Sequence, residues 1–134
     1  MDLRLELIVV PVSDVDRAKA FYVDQGGFGL DVDHATETFR VVQLTPPGSA
    51  CSIALMSNAA AGSLQGLHLV VEDLDAARTE LVSRGVEVSE PYHFAESGQT
   101  PGLHPERIKY GTFASFSDPD GNGWLLQEVG PAAG

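Results

Sequence analysis

Apolar and polar positions along the chain repeat one pattern twice: an apolar strand, an acidic turn, and a helix. The first copy is PVSDVDRAKAFY, from Pro11 to Tyr22, and the second is LVVEDLDAARTEL, from Leu69 to Leu81. The two copies correspond at a constant offset of 59 residues: Asp14, Val15, Asp16 and Ala18 match Asp73, Leu74, Asp75 and Ala77. A constant offset of this kind indicates a duplicated unit.

Within each copy the apolar residues follow helical spacing and predict one amphipathic helix. We expect Ser13 to be the N-cap of the first helix, with Asp16 three residues later, and Gly26 and Gly27 to end it. Gly85 is expected to end the second helix. The predicted buried stripes are Val15, Ala18, Phe21 and Tyr22 in the first helix and Leu74, Ala77, Leu81 and Val82 in the second.

Short apolar or alternating stretches around the helices predict the strands. Besides the opening MDLRLELIVVPV, these are Thr38–Leu44 and Cys51–Met56 in the first half and Val86–Ser89, Thr112–Phe116 and Trp124–Val129 in the second. Each half therefore has a strand, a helix, and two or three further strands. We predict one domain built from a module at residues 1–57, a linker at 58–63 and a second module at 64–130.

Composition excludes several classes of function. No apolar run approaches the roughly 18 residues that a membrane helix needs, and the opening segment lacks a cleavage site, so we expect a cytoplasmic protein without membrane contact. The net charge of -11 repels phosphate backbones and anionic lipid, which makes nucleic acid an unsuitable partner. Cys51 is the single cysteine, so the chain has no internal disulfide and no multi-cysteine metal site.

Three segments, taken in order, resemble the vicinal oxygen chelate superfamily, which includes glyoxalase I, extradiol dioxygenases, and bleomycin and fosfomycin resistance proteins. They are VVPVSDVDRAKAFY, LVVEDLDAARTELVSRGVEV and SFSDPDGNGWLLQEV, and the resemblance extends from about Leu5 to Val129. It implies an α+β fold of two βαβββ modules whose curved mixed sheets enclose a cavity, and a homodimer. Whether the modules pair within one chain or across the dimer is open.

The resemblance also implies where a metal would be held, on the first and last strands of each module. The implied positions in this chain are Leu7, Ser52, Gly66 and Leu125. Three of these side chains have no donor atom, and a serine hydroxyl is a poor ligand for a divalent ion. Glu6 lies one residue away, but alternation along a strand places it on the other face. We therefore expect no metal and no other cofactor.

His68 has three interpretations. It lies on the predicted cavity face, which also carries Leu5, Val9, Val70, Gln127 and Val129. It is either a hydrogen-bonded residue at the cavity edge, a general base or ligand anchor paired with Gln127, or one ligand of a displaced metal site.

The segment Pro91–Lys109 is predicted to be a long irregular loop, either a solvated turn region or a lid over the cavity. As a lid it would bring His93, Arg107 or Tyr110 to a polar or anionic ligand, and a metal site from His93 and His104 is a further possibility. The aromatic residues Phe39, Phe113, Phe116 and Trp124 either stack on a flat ligand or belong to the core.

The predicted function is small-molecule binding of the glyoxalase and bleomycin-resistance type without the family metal, with an aromatic or amphipathic metabolite or drug as ligand. The first alternative is a glyoxalase-like lyase or isomerase in which His68 moves a proton, helped by His93 or Tyr110, or in which a divalent metal binds at a non-standard site. The second alternative is a partner-binding module with a vestigial pocket. The predicted ligand-binding residues are His68, Gln127, Phe39, Phe113, Trp124, His93, Arg107 and Tyr110.

Overall fold

The computed structural model describes residues 1–130 and confirms an α+β fold with two mixed sheets and two α-helices. The chain divides into two compact units. The first contains residues 1–64 together with 118–122, and the remaining described residues form the second. No helix in the described part of the chain is long and apolar enough to span a membrane.

The first unit holds a four-stranded open sheet with the order β1-β4-β3-β2. The outer pair β1 and β4 is parallel, and the other two pairs are antiparallel. A π-helical segment, Phe21–Gln25, continues α1. The elements are β1 (Leu7–Val12), α1 (Val15–Ala20), β2 (Gly29–Ala35), β3 (Arg40–Thr45) and β4 (Ser52–Ser57).

Asp14, and not Ser13 as predicted, is the N-cap of α1. The Asp14 side chain accepts a hydrogen bond from the Arg17 amide at 3.1 Å. Ser13 is unavailable because its amide and its hydroxyl both donate to the Asp120 carboxylate, at 3.1 and 2.5 Å. The core of this unit comes from one face of the sheet and from α1 with its π-helical continuation: Val10, Val12, Val42, Leu44, Ile53, Leu55, Ala18, Phe21 and Tyr22 are buried.

The second unit holds a five-stranded open sheet with the order β5-β9-β8-β6-β7, in which only the pair β5 and β9 is parallel. Asp73 caps α2 by accepting from the Ala76 amide at 3.1 Å, and Gly85, at φ 91°, follows the end of the helix. The elements are β5 (Leu67–Val71), α2 (Leu74–Ser83), β6 (Tyr92–Ala95), β7 (Gly98–Pro101), β8 (Thr112–Ser117) and β9 (Gly123–Glu128).

Three secondary-structure predictions are corrected. Residues 86–89 form no strand, although Val86 and Val88 are buried. The predicted irregular loop contains the hairpin β6–β7, which extends the second sheet. Strand β2 was missed because all seven of its residues are exposed, so no buried side alternates with a solvent side.

A buried carboxylate ends β9. Glu128 is fully buried, and its Oε2 accepts from the Leu74 amide at the start of α2 at 2.8 Å. Arg107 donates to both carboxylate oxygens, from Nε to Oε1 at 2.8 Å and from Nη2 to Oε2 at 2.6 Å. The hydrogen bonds from Arg107 hold the pKa of Glu128 below its ordinary value, although burial acts in the opposite direction.

The turn Asp118–Asn122 is the part of the DPDGN motif that belongs to the first unit. Asp118 Oδ1 accepts from the amides of Asp120 and Asn122, each at 2.9 Å, and its Oδ2 accepts from the Tyr22 hydroxyl at 2.8 Å. Asn122 donates from Nδ2 to the Pro11 carbonyl at 2.8 Å. The motif therefore closes a buried hydrogen-bond network on β1 and the helical segment. This structural role explains its acidic residues without a catalytic function.

Replacing Asn122 with alanine is expected to destabilise the protein by about 2–4 kcal/mol, because it leaves several buried polar groups without partners. Besides Pro11, Asn122 contacts Asp118 Oδ2 and accepts from the Leu64 amide. Chemical denaturation measures the change. Asn58→Ala is the control because its Oδ1 accepts one exposed local hydrogen bond, and an equal effect of both variants would contradict the network.

Glu128→Gln is expected to lower stability at neutral pH by about 3 kcal/mol, the low end for a broken buried ion pair, because Arg107 keeps some access to solvent. The pKa of Glu128 is lower in the folded state than its ordinary value of 4.5, so the charged form stabilises the fold above that pH. This contribution is lost as the pH falls through the lowered folded-state pKa.

Denaturation curves between neutral pH and pH 3 check this expectation. The acid loss of stability should be smaller in Glu128→Gln than in the wild type, while the exposed control Glu96→Gln should follow the wild type. Parallel curves for the wild type and Glu128→Gln would show that the carboxylate carries no pH-dependent stability.

Candidate functional site

The two faces of the second sheet differ in how deeply their side chains are buried. The face that carries Trp124, Leu126 and Glu128 is buried, and we call it the helix-covered face. The opposite face, which we call the open face, presents half-buried and exposed side chains. By strand register it carries His68, Val70, Tyr92, Phe94, Phe113, Ser115, Leu125 and Gln127.

Four aromatic rings gather on the open face around Phe113, and we call them the ring cluster. Tyr92 lies stacked on Phe113 with ring centroids 5.9 Å apart and planes 20° apart. Phe94 meets Phe113 edge-on at 5.6 Å, and His68 does so at 6.4 Å. These distances and angles are those that aromatic pairs prefer, so the rings support one another.

Strand register brings these rings together from three separate segments of the chain. Tyr92 on β6 is the direct partner of Phe113 on β8, and Phe94 lies two residues further along the same face. His68 on β5 is the partner of Leu125, which in turn pairs with Ser115. Phe94 remains 57% exposed, so the cluster offers aromatic surface to solvent.

Two polar groups border the ring cluster. The Tyr92 hydroxyl and Ser115 Oγ are hydrogen-bonded at 2.6 Å. His68 Nδ1 lies 2.7 Å from the Gly66 carbonyl oxygen. Since a carbonyl only accepts, Nδ1 carries the proton and the lone pair of a neutral imidazole is on Nε2.

His68 and Gln127 do not form the expected pair. Gln127 lies opposite Val70, and its amide donates to the Tyr110 carbonyl at 3.2 Å. His68 instead contacts Gly66 and Phe113. Both residues are on the open face, but each has a separate partner.

Trp124 lies away from the open face. It is buried on the helix-covered face and stacked on Phe116, with ring planes 6° apart. It is therefore a core residue, and stacking on a ligand does not fit its position.

Phe39 belongs to the first unit, lies in the turn between β2 and β3, and is 51% exposed with His34 as its aromatic neighbour.

His93 also faces the helix-covered side. It is buried, its Nδ1 lies 2.8 Å from the Gly102 carbonyl, and its ring centroid is 5.4 Å from that of His104. His104 Nδ1 accepts from the Glu106 amide at 3.0 Å, so this nitrogen is already occupied. Strand alternation thus directs His93 away from the ring cluster, contrary to the role expected of it in ligand binding.

Arg107 and Tyr110 lie in the segment between β7 and β8, both with positive φ, at 48° and 62°. The Arg107 guanidinium is bound to Glu128, and this pairing raises the pKa of Arg107 above its ordinary value. Its charge is therefore committed to the fold, which corrects the expected ligand contact. Tyr110 is 51% exposed, and its backbone carbonyl reaches Gln127.

Sequence reasoning missed Tyr92 and Phe94 as site residues. The signal was present in YHFA, where Tyr92 and Phe94 alternate with His93 ahead of a glycine-containing turn. This alternation is typical of a strand with one aromatic face, and Gly98 has the positive φ of 108° that a tight hairpin accepts.

The four positions implied for a metal do not fit a divalent ion by their chemistry. Leu7 and Ser52 are direct strand partners, and the Ser52 hydroxyl is hydrogen-bonded to Thr45 Oγ1 at 2.7 Å. In the second sheet, Leu125 pairs with His68, whereas Gly66 lies just before the start of β5. Among residues 1–130 no group of three or more His, Cys, Asp or Glu side chains is close enough to hold a metal.

Comparisons with known proteins give a consistent picture. The sequence model of the Glyoxalase/Bleomycin resistance protein/Dioxygenase superfamily matches residues 4–126. The crystal structure of TnmS3, an antibiotic binding protein from Streptomyces sp. CB03234, is 36% identical with a TM-score of 0.76, covering 96% of this chain and 97% of that chain.

Two further proteins are similar to this chain over most of its length. A glyoxalase/bleomycin resistance protein from Streptomyces sp. CB03234 is 37% identical with a TM-score of 0.72, covering 93% of this chain and 100% of that chain. The uncharacterized protein YetH of Bacillus subtilis (strain 168) is 28% identical over 126 residues, which is 90% of this chain and 94% of YetH.

Proposed function

Because this chain belongs to the glyoxalase/bleomycin resistance protein/dioxygenase superfamily, we propose that it binds a small molecule whose flat aromatic part lies on the ring cluster. The ring cluster is the observation that carries the proposal, since its rings are ordered against one another and partly exposed. The similarity to TnmS3, described as an antibiotic binding protein, supports a metabolite or drug as the ligand class.

Stacking energetics favour an aromatic ligand over an aliphatic one. Phe113 presents a half-buried ring between Tyr92, Phe94 and His68, so a planar ligand would meet several edges and faces at once. Aromatic pairs of this geometry contribute about 0.5–1.5 kcal/mol each beyond the burial of apolar area. Several such contacts suffice for selective binding, because each 1.4 kcal/mol changes affinity about tenfold.

Binding without the family metal is part of the proposal. Leu7 and Leu125 offer hydrocarbon, and the Ser52 hydroxyl is engaged with Thr45. These side chains are poor ligands for a cation. The proposal further includes a homodimer, which the family resemblance supports, and a cytoplasmic location.

A second candidate function is a lyase or isomerase reaction that uses His68 as a base. The specific observation in its favour is the hydrogen bond between Nδ1 and the Gly66 carbonyl, which leaves the Nε2 lone pair of an exposed imidazole available. His93 is excluded as the helper because it faces the other side of the sheet, which leaves Tyr110 as the other helper, half-exposed and with its backbone carbonyl bound by Gln127 of the open face.

Replacing Phe113 with leucine is expected to weaken binding of a flat aromatic probe such as 2-methoxynaphthalene about tenfold, because the central ring of the cluster is lost while apolar volume is kept. Isothermal titration calorimetry measures the dissociation constants. Phe39→Leu is the matched control, an exposed aromatic residue of the first unit outside the ring cluster. Loss of binding in Phe39→Leu with unchanged binding in Phe113→Leu would contradict the proposal.

His68→Ala separates the two candidate functions. If the protein only binds, the variant is expected to lose about three- to tenfold in affinity for the same probe, the value of one edge-on ring contact. If His68 is a general base, turnover of any hemithioacetal or related substrate found by screening should fall at least a hundredfold in the same variant. Turnover that survives this substitution would remove the acid–base role.

A further inference from the structure

A pocket of about 350 Å³ lies beside the ring cluster in the second unit. Tyr92 belongs to both, so one ligand in contact with Tyr92 would reach both sites. Its volume is at the small end of the range for ligand pockets. The other residues that line it are Ser89, Glu90, Pro91, Gln99, Pro101 and Ser115.

We propose that this pocket holds an uncharged, hydroxylated substituent of the ligand, of the kind that a pyranose ring presents, while the aromatic part lies on the ring cluster. The inference rests on the proposed function in that both sites share Tyr92. It adds a second chemical class to the ligand, which the ring cluster alone does not specify.

The polar groups of the pocket supply both donors and acceptors. In the hydrogen-bonded pair of Tyr92 and Ser115 hydroxyls, one proton joins the two oxygens and the second stays available to a ligand. Gln99 is exposed on β7 opposite Phe94, and its amide forms no hydrogen bond with the described residues. An amide with two donors and an acceptor, next to a hydroxyl pair, matches the alternating hydroxyls of a sugar.

The apolar surfaces of the pocket suit the C–H faces of such a ring. Pro91 and Pro101 line it on neighbouring segments, and Tyr92, whose ring is stacked on Phe113, lines it as well. A pyranose ring has apolar faces and a polar edge, so it can bury one side on proline and tyrosine while its hydroxyls reach Gln99 and Ser115.

Charge balance favours an uncharged substituent. Glu90 is the one carboxylate that lines the pocket, and Arg78 donates to it at 3.2 Å. Arg78 is held in place by hydrogen bonds to the carbonyls of Ser89 and Val88, at 2.8 and 3.2 Å. The Glu90 side chain is 84% exposed, so its charge is paired with Arg78 and screened by solvent. A cationic group would have to compete with Arg78.

The test uses a matched set of probes: 2-naphthyl β-D-glucoside, 2-methoxynaphthalene, which lacks the sugar, and methyl β-D-glucoside, which lacks the aromatic part. Calorimetry with the full chain should show that the naphthyl glucoside binds at least about tenfold tighter than 2-methoxynaphthalene, from two or more hydrogen bonds. The double variant Gln99→Ala, Ser115→Ala should lose this advantage, whereas Glu96→Ala, at the tip of the same hairpin, should keep it.

Nuclear magnetic resonance supplies a readout that is independent of the aromatic site. Both glucosides should shift the side-chain amide signal of Gln99 in the wild type, and methyl glucoside should do so at millimolar concentration. Equal affinities for the naphthyl glucoside and 2-methoxynaphthalene, or a Gln99 signal that neither glucoside moves, would overturn the inference. A Gln99 shift with both glucosides while 2-methoxynaphthalene does not bind would support the pocket and refute the ring cluster as the aromatic site.

Discussion

The buried carboxylate of Glu128 is the constraint on which the second unit depends. Its hydrogen bonds to the Leu74 amide and to Arg107 are satisfied only if β9 turns this residue inward at the start of α2. Because side chains alternate along a strand, Gln127 and Leu125 then point to the open face. A slip by one residue would bury an amide and expose the carboxylate, so this charge opposes a one-residue slip of β9.

The register of β9 also determines which side chains of the neighbouring strands lie at the candidate site. With Gln127 outward, its partner Phe113 on β8 is outward, and the next partner, Tyr92 on β6, is outward as well. The same ion pair fixes the Arg107 segment, from which the Tyr110 carbonyl meets Gln127. The ring cluster is therefore a consequence of polar groups on the other side of the sheet. A charge that stabilises the fold also determines which face is aromatic.

Local patterns predicted much of this architecture, and tertiary pairing decided the rest. Regular spacing in the sequence predicted the duplicated strand and helix, the strands β8 and β9, and the face of the sheet on which Gln127 lies. The exposed edge strand β2 and the hairpin β6–β7 were not, since edge strands are held by backbone pairing rather than by an apolar stripe. Side-chain alternation along the strand also gives the correct position of Trp124, because Trp124 is one residue from Leu125 and therefore lies on the other face.

The long-range partners of charged residues could not be read from the sequence. Arg107 looked available for a ligand because it lies in a predicted irregular loop, yet Glu128, 21 residues away along the chain, binds it. Asp118 and Asp120 likewise bind Tyr22 and Ser13 in the first unit, so their carboxylates serve the fold. Once these charges are assigned to structural partners, the second unit's open face keeps aromatic rings, hydroxyls and amides. Such a surface selects its ligand by shape and stacking, since its lining residues leave no strong field to attract an ion.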